Sequence, residues 1–281
     1  MLIKDKYIKP LTIKRENVYK EHKEYLIDKD YMKLPEERKE IEILKRLKSD
    51  EDYYGAFGKQ YMSNSDIWTL LKEPHKYGQG KEETVPMVAG RYFHVSILEP
   101  EKVDMFNIID SSTRSTKAYK EASAEEGKIL LLKKEQEHLD YLINKMKSNF
   151  RFHSDIFNPL NQYEVPGITE LFGLKWKGKA DIITPDILID IKTTSNIDKF
   201  KWSSRDYNYD SQAYIYQQIF GKPVIFYVVC KVSGRLGIFK PTEQFLIGGR
   251  EKVQKAIEVY NNFFIEDAKM EITQHITEED L

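Results

Sequence analysis

The chain has 281 residues, of which 41% are hydrophobic and 32% charged, with a formal net charge of −1. That length and apolar content allow one large domain, or a domain with an appended module. The near-neutral balance excludes a polycation that coats nucleic acid by bulk charge, so any DNA surface must come from local clustering. A single cysteine, Cys230, excludes an intramolecular disulfide framework, a Cys-rich zinc site and a four-cysteine iron–sulfur cluster. No apolar run is long enough to span a bilayer and no signal peptide opens the chain, so a cytoplasmic protein is expected.

In chain order, residues 1–62 form a Lys-, Glu- and Tyr-rich extension of mostly helical character, with a helix expected at Glu36–Lys48. Mixed charges of both signs favour a solvated cover over a DNA-contacting flap or an oligomer contact. Helices are expected at Ser65–Leu71, opened by Ser63-Asn64 and stopped at Pro74, and at Met87–Leu98. The stretch 100–127 reads as irregular. An amphipathic helix over Leu132–Met146 puts Leu139, Leu142, Ile143 and Met146 on one face. Strands follow at Tyr163–Thr169, Leu171–Thr184 and Ile187–Thr193, then a helix at Asp210–Phe220 closed by Gly221. Strands recur at Val224–Val232 and Leu236–Lys240, before a helix at Glu243–Phe264 and an acidic tail, Glu278-Glu279-Asp280-Leu281. This order predicts an α/β (α+β) fold with a central mixed sheet flanked by helices. There is no internal repeat, no low-complexity linker and no Gly-x-x-x-x-Gly-Lys-[Ser/Thr] motif.

The chemistry concentrates in Gly178-Lys179-Ala180-Asp181 and Ile187-Leu188-Ile189-Asp190-Ile191-Lys192-Thr193-Thr194. On a strand, residues two apart share a face, so Asp190 and Lys192 point the same way. Pro185-Asp186 can turn the chain back, and the resulting hairpin brings Asp181 near Asp190. Two carboxylates forced together repel, and a divalent cation relieves the repulsion; hard oxygen ligands suit Mg²⁺ or Mn²⁺. A neighbouring lysine can polarise an attacking water or steady a charged phosphate. An isolated Asp-x-Lys is more often a solvated strand edge, but Ile and Leu flank this one, and buried charges are rarely kept without pairing or metal. This is the equipment of a metal-dependent nuclease.

These segments resemble the PD-(D/E)XK nuclease superfamily, in particular its RecB-like and RecE-like exonuclease branch. Gly90-Arg91-Tyr92-Phe93-His94 through Leu98-Glu99-Pro100 is similar to the Gly-x-x-x-His-x-x-x-Leu-Glu-Pro segment of RecE-type phage exonucleases. Ser63-Asn64-Ser65-Asp66-Ile67 and Leu70 to Tyr77 resemble that family's opening helix, and Asp210-Ser211-Gln212-Ala213-Tyr214-Ile215-Tyr216 its Gln-x-x-x-Tyr helix. The matching pieces run in family order from Ser63 to Lys231, which places a nuclease domain at 63–281 with its catalytic core near 160–240.

The resemblance implies a restriction-endonuclease-like core. It implies metal held by Asp181, Asp190, His94 and the Ile191 backbone carbonyl, with Glu164 a further candidate because the family often carries an acid on the preceding strand. Lys192 sits beside the attacking water, and Gln212 and Tyr216 flank the site. Thr193, Thr194 and Ser195 are placed to hydrogen-bond phosphate. Lys199, Lys201 and Arg205, with Lys175, Lys177 and Lys179, form the expected basic rim of a DNA channel, while Ser63, Ser65 and Arg91 are candidates for a terminal phosphate. For Trp176 and Trp202, core packing outweighs base stacking.

The activity implied is a DNA exonuclease acting on duplex ends, 5′ to 3′, leaving 5′ phosphates. Such enzymes often form rings and work with a single-strand annealing recombinase; phage origin would place it in a bacterial host cell. The alternatives are an endonuclease on the same core and a DNA-binding protein that keeps the fold without catalysis.

Overall fold

The computed structural model describes residues 35–80, 82–268 and 270–276. The stretch before 35 and the acidic tail at 278–281 lie outside the described residues. The chain enters through two helices, α1 (Pro35–Leu47) and α2 (Asp50–Tyr54). Helix α3 (Asn64–Lys72) starts where expected: the Ser63 backbone N–H and Oγ–H both donate to Asp66 Oδ2 at 2.7 Å, satisfying the helix entrance. Helix α4 (Val85–Leu98) carries His94.

The stretch expected to be irregular holds more structure. Pro100–Met105 is a 3₁₀ turn, β1 (Ile108–Ile109) pairs in parallel with β2 (Leu131–Leu132), and α5 spans Lys117–Glu126 between them. Thr116 accepts a hydrogen bond from the Tyr119 N–H at one end of α5, and Gly127 (φ 63°) closes the other. Tyr119 is its one buried residue, so the helix lacks the apolar stripe that periodicity detects. Helices α6 (Lys133–Ser148) and α7 (Phe150–Ile156) lead into the sheet.

Strands β3 (Gln162–Leu171), β4 (Leu174–Ile183) and β5 (Leu188–Thr194) are followed by α8 (Phe200–Asp206) and α9 (Tyr209–Phe220), then β6 (Val224–Cys230), β7 (Leu236–Phe239) and α10 (Glu243–Phe263). The loop expected between β5 and α9 therefore contains a short helix. Its seven residues bury only Phe200 and Ser204, too little pattern to read from sequence.

The sheet runs in chain order, β3-β4-β5-β6-β7, with β5 and β6 parallel and every other pair antiparallel. On one face Ile182, Ile189, Ile191, Tyr227 and Val229 pack against α4, α6 and α7 through Phe93, Leu142, Met146 and Phe152. On the other, Leu188, Val224, Phe226 and Val228 meet Phe200, Ala213 and Phe245. Each such fully buried apolar side chain contributes about 1.5–3 kcal/mol. A third cluster joins Trp176 of β4 to Ile67 and Leu70 of α3, Ile215 of α9 and Val253 and Ile257 of α10. Among the described residues, no helix is long and apolar enough to cross a membrane.

Helices α9 and α10 meet at backbone distance. At Gly249 an added Cβ would collide with the backbone carbonyl of Asp210. Asp210 is itself buried and bridges to Lys252 of α10 at 3.0 Å. Backbone cannot step aside as a side-chain end can, so Gly249→Ala is expected to destabilise the fold by about 1–3 kcal/mol. A shift of the urea unfolding midpoint at unchanged slope checks this; an unshifted midpoint would show that the helix pair can open.

Candidate active site

The site forms where the β4–β5 ladder stops. The two strands pair at Ile182↔Ile189 and Ile183↔Leu188, and the ladder ends there. One step further, Asp181 Oδ2 accepts the Ile191 N–H at 2.8 Å. The carboxylate thus takes a backbone donor that the neighbouring strand would otherwise satisfy. It fixes Asp181 beside the start of the Asp190-Ile191-Lys192 run.

Glu164 reaches the same place from β3. The register pairs Tyr163 with Ile182 and Val165 with Ala180, so Glu164 stands across from Asp181. Its φ of 49° is left-handed, unusual for a non-glycine residue inside a strand. Such a conformation costs on the order of 1–3 kcal/mol and persists where the surroundings impose it, often at functional sites. His94 comes from α4, with Nδ1 3.4 Å from Asp181 Oδ2. One ligand atom from each of His94, Glu164 and Asp181 lies within 4.8 Å of the others.

Asp190 is 2% exposed. Gln212 Nε2 donates to its Oδ1 at 2.8 Å. Its Oδ2 lies 2.5 Å from Lys192 Nζ in a buried ion pair. Lys192 in turn sits 4.8 Å from the Tyr209 ring.

Burial pushes Glu164 up to about 8, helped by the Asp181 charge. Burial raises Asp181 as well, against the pull of Lys192 and the Ile191 N–H. It lifts Asp190 to about 6, again against Lys192. Burial, reinforced by Lys192, lowers His94 to about 4, leaving a neutral imidazole with a free lone pair. Burial opposes the charge on Lys192 too, but Asp190 above all, with Tyr209 and Asp181, holds it above the ordinary lysine range.

Three carboxylates that resist ionisation, a neutral imidazole and the Lys192 ammonium share one corner. That donor set, oxygen-rich with one nitrogen, fits a hard divalent cation such as Mg²⁺ or Mn²⁺, whose charge would relieve the crowding. The corner opens into a cleft of about 560 Å³.

The other residues singled out in the sequence are dispersed. Tyr216 lines the cleft and donates its hydroxyl to the Lys179 carbonyl at 2.9 Å. Gly178 makes room for it: a Cβ there would lie 2.7 Å from Tyr216 Cε1. Arg91 lines the cleft as well, paired with Glu83 at 2.5 Å.

The basic strand face departs from the expected rim. Lys177 and Lys179 are buried; Lys177 donates to the Tyr53 carbonyl, and Lys179 pairs with Asp50 at 2.5 Å. Helix α2 covers the face that strand alternation alone leaves open. Ser63 serves the α3 cap, with Ser65 Oγ 3.0 Å from its hydroxyl. Thr193 is half-buried after Lys192, Thr194 Oγ1 bonds the backbone of Asn196, and Ser195 is exposed beside Cys230. Lys199, Lys201 and Arg205 gather on or beside α8, away from the cleft lining. Trp176 packs in the core as expected, whereas Trp202 is 60% exposed.

Sequence reasoning missed Asp50, Tyr53 and Tyr54, which wall the cleft from α2. Residues 35–62 are more than a solvated cover: Leu47, Tyr53, Tyr61 and Met62 are buried, and Met62 bridges to Trp176. Only the run of acids opening α2 stood out there, and acids at a helix start are ordinary dipole partners. Glu99 also lines the cleft, paired there with Lys102.

A crystal structure of a putative exonuclease from Eubacterium rectale superimposes with a TM-score of 0.57, covering 83% of this chain and 95% of that one at 19% identity. At that identity the likeness concerns the fold. The structure of a protein named SSO0001 aligns over 77% of this chain and 84% of that one, at 18% identity and a TM-score of 0.34, too low to carry an argument. No curated protein matches the sequence. Residues 61–269, which hold the whole His94–Glu164–Asp181–Asp190–Lys192 corner, match the family described as a PDDEXK-like domain of unknown function, DUF3799, and the chain belongs to that family.

Proposed function

We propose that the protein is a metal-dependent DNA exonuclease that hydrolyses phosphodiester bonds from duplex ends, 5′ to 3′, and leaves 5′ phosphates. The observation that carries the reading is the convergence of His94, Glu164 and Asp181 within 4.8 Å, beside the buried Asp190–Lys192 pair. Membership in a PDDEXK-like family and the fold shared with an exonuclease-named protein support a nuclease. The polarity, the ring oligomer, the annealing recombinase partner and a phage-type role in a bacterial cytoplasm rest on the resemblance of the sequence motifs.

Asp181, Asp190, His94 and the Ile191 carbonyl, with Glu164, are the groups that would hold Mg²⁺ or Mn²⁺. Bound there, such a cation supplies Lewis-acid neutralisation of charge at the scissile phosphate. Lys192, charged and held by Asp190, orients the attacking water and steadies the charge that builds on phosphorus-bound oxygen. Gln212 fixes the Asp190 carboxylate, so the lysine keeps its direction. Water adds its oxygen to phosphorus, the 3′ oxygen leaves and takes a proton, and a 5′ phosphate remains. Tyr53 and Tyr54 of α2 wall one side of the cleft that would receive the substrate.

Linear duplex DNA labelled at either 5′ or 3′ ends, with closed circles as control, tests this in Mg²⁺ and in EDTA. The expected result is progressive loss from 5′ ends, none on circles and none in EDTA. Cutting of circles would make the enzyme an endonuclease. Binding of DNA with no cleavage in Mg²⁺ or Mn²⁺ would leave the fold without the activity.

A further inference from the structure

A second cleft, of about 470 Å³, lies outside the acidic corner. Its floor is aromatic: Phe200, Phe226 and Phe245 are buried there, with Phe239 half-buried beside them. Its rim is cationic. Lys201 and Arg205 of α8 and Lys240 after β7 line it, and no carboxylate does. None of these three cations forms an ion pair among the described residues, in a chain whose charged surface is otherwise laced with them. Trp202, 60% exposed, completes the rim, with Lys201 Nζ 4.9 Å from its ring. The exposed indole thus offers a stacking face beside positive charge that no carboxylate of the lining neutralises.

The cleft is also joined to the acidic corner. The Tyr209 ring lies 5.9 Å from Phe200 and 5.7 Å from Phe226, and Lys192 Nζ is 4.8 Å from the same ring. One aromatic ring therefore separates the floor of the cleft from the lysine of the reaction centre. An occupant with an aromatic face and flanking negative charge meets every feature of the lining, and its nearness to Lys192 favours the substrate strand itself over a separate partner.

We propose that this cleft takes an unpaired base of the DNA being degraded, stacked on Trp202, with the adjoining phosphates on Lys201, Arg205 and Lys240. The inference rests on the reading of the chain as a DNA nuclease and adds a single-strand site to it. Base–aromatic stacking is tolerant of sequence because every base has a π-face, and basic residues beside it follow the backbone. A cleft of about 470 Å³ lies at the low end for ligand sites and has room for a base. The site would hold the strand after the duplex end has opened, beside the point of cleavage.

The test uses the full chain in EDTA and a fluorescent oligo(dT) as probe. Trp202→Ala is expected to weaken oligo(dT) binding about tenfold, and Trp202→Phe by much less, since a ring remains. Joint replacement of Lys201 and Lys240 by Ala should weaken it similarly and reduce the salt dependence by about 1.4 in log–log slope, ~0.7 for each lost phosphate contact. Blunt duplex binding should move less than twofold in both variants, and their melting temperatures should match the wild type. Unchanged oligo(dT) affinity in both variants would overturn the proposal. So would displacement of oligo(dT) by poly-glutamate as readily as by unlabelled oligo(dA), which would mark the cleft as a dock for an acidic protein segment. Cleavage of linear duplex by the same wild-type preparation in Mg²⁺ separates the two readings. Cleavage with unchanged variant binding sinks the base site alone, and absence of cleavage sinks the nuclease while the binding data still judge the cleft.

Discussion

Asp181→Asn is expected to reduce cleavage of linear duplex DNA by about 10³-fold or more, with little change in unfolding free energy. The substitution separates two jobs that one carboxylate performs. Its oxygen accepts the Ile191 N–H where the β4–β5 pairing ends, and an amide oxygen can accept the same bond. Its charge faces His94 and Glu164, and an amide cannot supply that charge. Asp181 is buried among groups already resisting ionisation, so removing its charge lowers a local penalty and no stability loss should follow. The measurement is kcat/KM on a 5′-labelled duplex, paired with a urea melt and a Mn²⁺ titration. Wild-type cleavage by the variant would remove Asp181 from the metal shell. A cooperative melt at unchanged midpoint, with activity lost and Mn²⁺ affinity reduced, would establish its role.

Lys192→Met is expected to lower kcat by about 10³-fold with KM little altered, and to cost roughly 3–5 kcal/mol of stability in EDTA. The two effects have one origin. Asp190 is 2% exposed, and Lys192 is the cation beside its otherwise unpartnered Oδ2. Without the lysine, a carboxylate is left buried with Gln212 alone. The pH dependence follows from the direction of the shift. Burial already lifts Asp190 to about 6, and losing Lys192 lifts it further. A carboxyl whose folded pKa exceeds its unfolded value destabilises above the folded pKa, where it must be charged, and the penalty fades as pH falls through that value. The deficit of the variant should therefore be largest in alkaline buffer and shrink in mild acid. Mg²⁺ at a hundredfold excess over Kd should raise the stability of the variant by about 2.7 kcal/mol above its value in EDTA. A variant as stable as wild type at every pH would show that Asp190 does not depend on Lys192.

Much of this site can be read from strand arithmetic. Period two puts Asp190 and Lys192 on one face, and the short Pro185-Asp186 connection sends Asp181 back beside them, which the Asp190–Lys192 contact and the Asp181–Ile191 bond reflect. Tertiary placement is less visible. Glu164 reads as an ordinary strand acid, because neither the cross-strand register nor the left-handed φ that sets it against Asp181 leaves a mark in local sequence. Lys177 and Lys179 alternate as an exposed basic face should, but α2 folds over them. Trp202 looks like a core residue by type, yet its helix buries only Phe200 and Ser204. Helix α5 lies in a stretch that reads as irregular, because among its residues Tyr119 alone is buried. Periodicity reports what an element buries, and elements that bury little stay silent.

Helix α2 carries a consequence for how the protein divides. The family pattern begins at residue 61, yet the Lys177 ammonium rests on the carbonyl of Tyr53 and the Lys179 ammonium on Asp50, both upstream of it. Leu47 and Tyr53 are as buried as residues of the sheet. A fragment cut to the shared pattern would strip both ammonium groups of these partners and remove one wall of the cleft. The unit that folds around the cleft thus begins upstream of the family pattern, and Asp50, Tyr53 and Tyr54 belong to it.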